Sequence, residues 1–99
     1  MRPIHTASLD KSRPVLILTR ELVRPHLARV TVAAITSTIR GLSTEVPVGR
    51  INGLDHDCVV SCDNIVTVLT SALGRQIGYF FPAQEAALSA AIRAAFDLR

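Results

Sequence analysis

A mainly β fold, a small antiparallel barrel with an amphipathic α-helix packed on it at the C-terminal end, is predicted for this 99-residue chain by three observations. Five or six short apolar runs rich in β-branched residues follow one another from the N-terminus. Glycine, proline and Asn-Gly or Asp-rich turns separate them. The hydrophobic period changes from two to about 3.6 only after Pro82. Consecutive strands before a single helix leave no crossover helices for a parallel βαβ sheet, so the sheet is antiparallel. The length holds one domain, residues 1–99, around one core.

After a first strand ending near Ser8, the run Arg13 to Arg20 reads as a buried strand opened by Pro14, a position a strand tolerates. Pro25 keeps Glu21 to Ala28 from forming a regular helix. Arg29 to Thr38 is apolar on both alternating faces, which predicts a second buried strand ending in Thr36-Ser37-Thr38. Gly41 and Gly49 bracket Leu42 to Val48, whose alternation predicts a half-exposed edge strand containing Pro47. Cys58 to Asn64 follows the turn at Asn52 to Asp57, Ile65 to Leu69 continues as β structure, and Arg75 to Phe81 is the last strand. Beyond Pro82, Leu88, Ala91, Ile92, Ala95 and Phe96 form one apolar stripe, while Glu85, Ser89, Arg93 and Asp97 take the opposite face.

Composition excludes several classes. With 48% hydrophobic and 19% charged residues the chain is too apolar for disorder, and no apolar run approaches a membrane span. The N-terminal residues lack a continuous apolar export segment, so the expected compartment is the cytoplasm. Cys58 and Cys62 stand four apart in a strand; at about 3.3 Å per residue their Cα atoms lie about 13 Å apart, out of disulfide reach. No second pair of ligands makes them a zinc site, and they read as small buried hydrophobes. No carboxylate or histidine cluster has metal-ligand spacing, so neither metal nor other cofactor is expected.

The net charge of +3 is unevenly placed: Met1 to Arg50 carries +5 and Ile51 to Arg99 carries −2. Only one of the eleven cations is lysine, and arginine's planar fork matches phosphate better than a point charge does. An anionic partner such as RNA fits this balance, although arginine-rich coding bias produces the same composition.

Two residues are candidates for chemistry. Pro14 restricts Arg13 to an extended backbone, which aims a guanidinium from a rigid base; the blander reading is a solvated cation before a strand. Thr36, at the end of the second buried strand, can present its hydroxyl at the barrel rim or simply reflect β-propensity.

The order of motifs decides between these readings. Lys11-Ser12-Arg13-Pro14-Val15-Leu16-Ile17-Leu18, then Val32-Ala33-Ala34-Ile35-Thr36-Ser37, then Arg40-Gly41-Leu42-Ser43-Thr44-Glu45-Val46-Pro47-Val48, closely resemble successive blocks of the MazF/PemK toxin family. Val59-Val60-Ser61-Cys62-Asp63-Asn64, Leu73-Gly74-Arg75-Gln76-Ile77-Gly78 and the alanine-rich helix resemble its remaining blocks, from about Lys11 to Leu98. The resemblance implies an SH3-like barrel of the CcdB/PemK kind, the toxin of a type II toxin-antitoxin pair. It further implies a homodimeric, metal-independent endoribonuclease that cuts single-stranded RNA sequence-selectively. A MazE-like antitoxin would neutralise it by laying an acidic C-terminal segment along the RNA groove. Arg13 and Thr36 match the family's catalytic arginine and threonine. Asp63 matches an aspartate used as general base in some relatives and equally suits a turn. Lys11, Ser12, Ser37, Thr38, Arg40 and Asn64 are the RNA-binding residues implied by the same blocks.

The chain departs from the family before Arg13, where only Ser8 to Ser12 replaces a long glycine-rich loop, and at Ser61, where some relatives have an arginine. His5 is a possible proton carrier there, while His26 and His56 sit in loops without a constellation. Two rivals remain at this stage. A CcdB-like gyrase poison acts through a Trp-Gly-Ile terminus, and this chain has no Trp and ends Phe96-Asp97-Leu98-Arg99. A non-catalytic SH3-like RNA-binding module needs aromatic stacking platforms, and the one cluster, Tyr79-Phe80-Phe81, reads as core.

Overall fold

Val15, Leu16 and Ile17 are buried without exception, as are Val32, Ala33, Ala34 and Ile35, so two adjacent strands are covered on both faces. The computed structural model describes residues 1–99 and builds around these strands. The elements are β1 (Arg2–Ser8), β2 (Ser12–Ile17), β3 (Arg29–Thr36), β4 (Glu45–Val48), β5 (Cys58–Leu69), β6 (Leu73–Phe80) and α1 (Glu85–Ala95). All six strands join one curled antiparallel sheet in the order β4-β5-β3-β2-β1-β6. This is the small mainly β architecture with a C-terminal helix that the hydrophobic pattern predicts.

Alternation along each strand divides the core into two clusters. Ile4, Leu16, Ala33, Ile35, Val46, Val60 and Phe80 meet Leu88 and Ala91 of α1 on one face. Ala7, Val15, Ile17, Val30 and Val32 form the other. Burial of each large aliphatic side chain stabilises by roughly 1.5–3 kcal/mol, which is why β2 and β3 anchor the sheet. Cys58 and Cys62 are buried free thiols within it.

Four local departures have physical causes. The edge strand begins at Glu45 rather than Leu42, because the Glu45 carboxylate accepts the backbone N–H groups of Arg40, Gly41 and Leu42 at 3.1, 2.9 and 3.2 Å. Those amides are therefore committed to a turn, with Gly41 at φ 72, and Leu42 is left exposed. Second, the two β segments expected after Asp57 are one strand whose register against β3 slips between Ala34↔Ser61 and Ala33↔Ile65. Cys62, Asp63 and Asn64 form the bulge, so the polar Asp63-Asn64 step bends the strand without ending it. Third, α1 stops at Ala95. Asp97 takes a left-handed φ of 54 and the Leu98 amide donates to the Arg93 carbonyl at 2.8 Å, a C-terminal cap, and Phe96 at the helix end is exposed rather than part of the buried stripe. Fourth, of the aromatic cluster Phe80 is core but Tyr79 points outward and is 44% exposed.

Asn52 ties the long β4–β5 connection to the start of the helix. It is fully buried, accepts the Gly49 N–H at 3.1 Å, and donates to the Tyr79 carbonyl at 2.9 Å and to Gln84 at 2.8 Å. An apolar replacement would strand buried partners at about 1–3 kcal/mol each. Gly53, at φ 90, and Gly78 permit the close approach, since a Cβ on either would overlap backbone of the other segment.

Candidate active site

Val15 of β2 lies opposite Ala34 of β3. Two residues further toward one rim, the same register brings Arg13 level with Thr36 on the same face. Both line one cleft of about 620 Å³, together with Lys11 and Ser12 from the start of β2 and Ser37 and Thr38 just beyond β3. Leu54, Asp55, His56 and Cys58 before and at the start of β5, and Arg75 and Ile77 of β6, also line it. Three permanent cations against one carboxylate make the cleft attractive to a polyanion.

Arg13 is half-buried, and its Nε donates to Asp10 Oδ1 at 3.2 Å with Nη2 3.5 Å from Oδ2. Asp10 thus engages one edge of the fork and leaves Nη1 uncommitted for a ligand. The hydrogen bond from Arg13, reinforced by its charge, holds the Asp10 carboxyl below the ordinary carboxylate value against a smaller opposing desolvation. The pairing is therefore intact above the usual carboxylate range and is lost as pH falls through the lowered value. Thr36 Oγ1 accepts the Thr38 N–H at 3.1 Å, which occupies a lone pair and leaves the hydroxyl hydrogen free to donate.

The remaining sequence candidates separate in space. Asp63 and Asn64, on the bulge, line a second depression of about 330 Å³ with Leu9, Asp10, Ala34 and Val66, and Arg13 borders both hollows. Asp63 accepts a hydrogen bond from Thr44 Oγ1 at 2.7 Å. Arg40 borders neither hollow, and its amide is held by Glu45. His5 Nδ1 is 3.0 Å from the Gly74 carbonyl, to which it donates, and His5 is not part of the cleft wall.

Sequence reasoning missed Asp10, set His56 aside as a loop histidine without a constellation, and held Arg75 only as part of a family block. Asp10 stands three residues before Arg13 across a tight turn, a spacing that signals the pair. His56 and Arg75 arrive from loops and strands distant in sequence and carry no local signal. Neither thiol is a nucleophile: burial, then Asp57 and Asp55, pushes Cys58 up, and burial, then Asp63, does the same to Cys62. No three His, Cys, Asp or Glu side chains converge as metal ligands, and no helix is long and apolar enough to cross a membrane.

Residues 2–96 match the family model described as PemK-like, MazF-like toxin of type II toxin-antitoxin system. The chain is 66% identical over 98 residues to Endoribonuclease MazF3 of Mycobacterium tuberculosis, covering 99% of this chain and 95% of that protein. It is 42% identical over 73 residues to the same organism's Probable endoribonuclease MazF2, covering 73% and 72%. Among solved structures, Mycobacterium tuberculosis toxin MazF-mt6 superposes with a TM-score of 0.97 at 65% identity over 99% of both chains. A mycobacterial endoribonuclease in complex with its cognate antitoxin superposes with a TM-score of 0.87 at 28% identity, over 98% of this chain and 93% of that one.

Proposed function

Because the chain belongs to the PemK-like, MazF-like toxins of type II toxin-antitoxin systems, a family of endoribonucleases, we propose that it cuts single-stranded RNA sequence-selectively and without a metal, using the substrate's own 2′-hydroxyl. The observation that carries this reading is the shared cleft of Arg13 and Thr36 at the ends of neighbouring strands. RNA brings its nucleophile next to the phosphate, so the protein must orient it and stabilise the charge that develops. Arg13, braced by Asp10, offers its free Nη1 to a phosphoryl oxygen, and Thr36 donates a second bond. Lys11, Ser12, Ser37 and Thr38 hold the flanking backbone. Asn64, with Asp63, borders the second hollow beside Arg13 and takes the strand beyond the scissile phosphate; Arg40 contacts RNA outside both hollows.

The products are a 2′,3′-cyclic phosphate and a 5′-hydroxyl, formed in the cytoplasm. Primer extension on a long RNA digested with the purified protein tests the reading, since it reports activity and cut site together. Cleavage in excess EDTA should equal cleavage with magnesium, and activity rescued only by a divalent ion would remove the metal-free mechanism. Intact RNA would leave a binding module.

The protein acts as one domain and as a homodimer, since a single helix leaves apolar side chains such as Ile39 and Ile51 uncovered. Sedimentation at micromolar concentration should give twice the 10.7 kDa chain mass; a monomer that still cuts would refute the dimer. The antitoxin partner presents an acidic segment to the same cations, as suits a relative solved with its cognate antitoxin.

A further inference from the structure

Attack by a 2′-oxygen requires two proton movements, one off the nucleophile and one onto the departing 5′-oxygen. The second is the more demanding, because an alkoxide leaves poorly unless it is protonated as the bond breaks. We propose that His56 is the general acid that protonates the leaving 5′-oxygen, an inference that rests on the RNA-cleavage reading above.

The cleft itself narrows the choice. Its titratable and charged wall residues are Lys11 and Arg13 from β2 and the turn before it, Arg75 from β6, and Asp55, His56 and Cys58 from the β4–β5 side. Asp10 and Asp57 stand just outside, the first paired to Arg13 and the second next to His56 in the chain. Arginine keeps its proton at neutral pH, and a lysine ammonium titrates far above it. Asp55 is exposed, and a carboxylate accepts hydrogen bonds rather than donating them. The Cys58 thiol is buried and pushed up, which makes it a still weaker acid. An imidazole is the one side chain here that can hold a proton and release it near pH 7. The other two histidines are absent from the cleft wall. Asp63, the base suggested by sequence, lies in the second hollow.

The backbone on either side of His56 is tied down. Arg50 Nε donates to the Asp55 carbonyl at 3.2 Å, Gly53 packs against the Ile77 backbone, and Cys58 opens β5 two residues later. His56 itself is exposed, free to meet a bound strand. In the step, the 2′-O–P bond forms and the P–O5′ bond breaks. The imidazolium N–H proton passes to O5′, the 2′-hydroxyl proton goes to water, and the neutral imidazole is reprotonated from solvent.

A substrate with sulfur in place of the bridging 5′-oxygen isolates this role, because a thiolate leaves without a proton. Single-turnover rates of the wild type and His56→Ala should differ by about 10²–10⁴ on the oxygen substrate. On the sulfur substrate His56→Ala should approach the wild-type rate. The wild-type rate on oxygen should also fall as pH rises, and His56→Ala should lack that dependence. His56→Gln, which preserves polarity and size, should behave like the alanine variant. Equal slowing on both substrates would show that His56 does not act as the acid, and an unimpaired rate on oxygen would overturn the proposal directly. A wild-type protein that cuts neither substrate, or leaves 5′-phosphate ends, would bring down the cleavage reading itself, a result distinct from either.

Discussion

An RNA whose scissile nucleotide carries hydrogen in place of the 2′-hydroxyl will bind the protein normally and will not be cut. None of the hydroxyls that line the Arg13–Thr36 cleft hydrogen-bonds a His, Asp or Glu side chain that would activate it, the neighbouring Cys58 thiol is buried and pushed up, and no side-chain cluster is arranged to bind a metal that would activate water. The adjacent hydroxyl, by contrast, attacks within its own molecule, and well-oriented reactions of that kind reach effective molarities of about 10⁵–10⁸ M. Deleting it removes the reaction while leaving every phosphate in place. The three cations that line the cleft, Lys11, Arg13 and Arg75, should still meet phosphates, and binding should persist with its salt dependence. Gel-shift and cleavage measurements on the same substituted RNA separate the two quantities. A substituted RNA that is still cut, or normal products ending in 5′-phosphate, would mean that water attacks instead.

The parts of this site that sequence exposes are those fixed by strands. Arg13 and Thr36 stand at the ends of two runs buried on both faces, Val15 to Ile17 and Val32 to Ile35, whose composition permits little but central strands. Once those strands pair, the register continued two residues past Val15↔Ala34 carries both residues to one rim, where they line the same cleft. Asp63 and Asn64 were legible as a polar step but not as a bulge, because only the pairing of β5 with β3 shows that the strand continues past them. The extent of β4 was illegible for a different reason: the Glu45 side chain competes for three backbone amides that the alternating pattern had given to a strand. His56 and Arg75 join the cleft through the packing of the β4–β5 connection against β6, at Gly53 and Gly78, a contact between segments more than twenty residues apart. Local pattern carries no information about such an encounter.

Arg13→Lys will lower single-turnover cleavage by on the order of 10² or more while changing RNA affinity far less. The substitution keeps the charge that attracts the strand and removes the planar fork. That fork performs two tasks at once, since its Nε and Nη2 side faces Asp10 while Nη1 stays available to a phosphoryl oxygen. A lysine ammonium has no second edge, so it is drawn toward Asp10 or toward the phosphate without a fixed geometry for either. Asp10→Asn should lie between, retaining the fork but loosening its support. Thr36 is tested beside it with a matched pair of substitutions. Thr36→Ser preserves both the acceptor for the Thr38 amide and the hydroxyl donor, and keeps much of the activity; Thr36→Val preserves shape, loses both, and loses most of the rate. Circular dichroism establishes that each variant is folded, and rates with saturating RNA separate turnover from binding. A folded Arg13→Lys protein that cut at the wild-type rate would show that Arg13 is not the phosphate ligand. The role would then pass to Arg75, which lines the same cleft, ahead of Arg40, which does not.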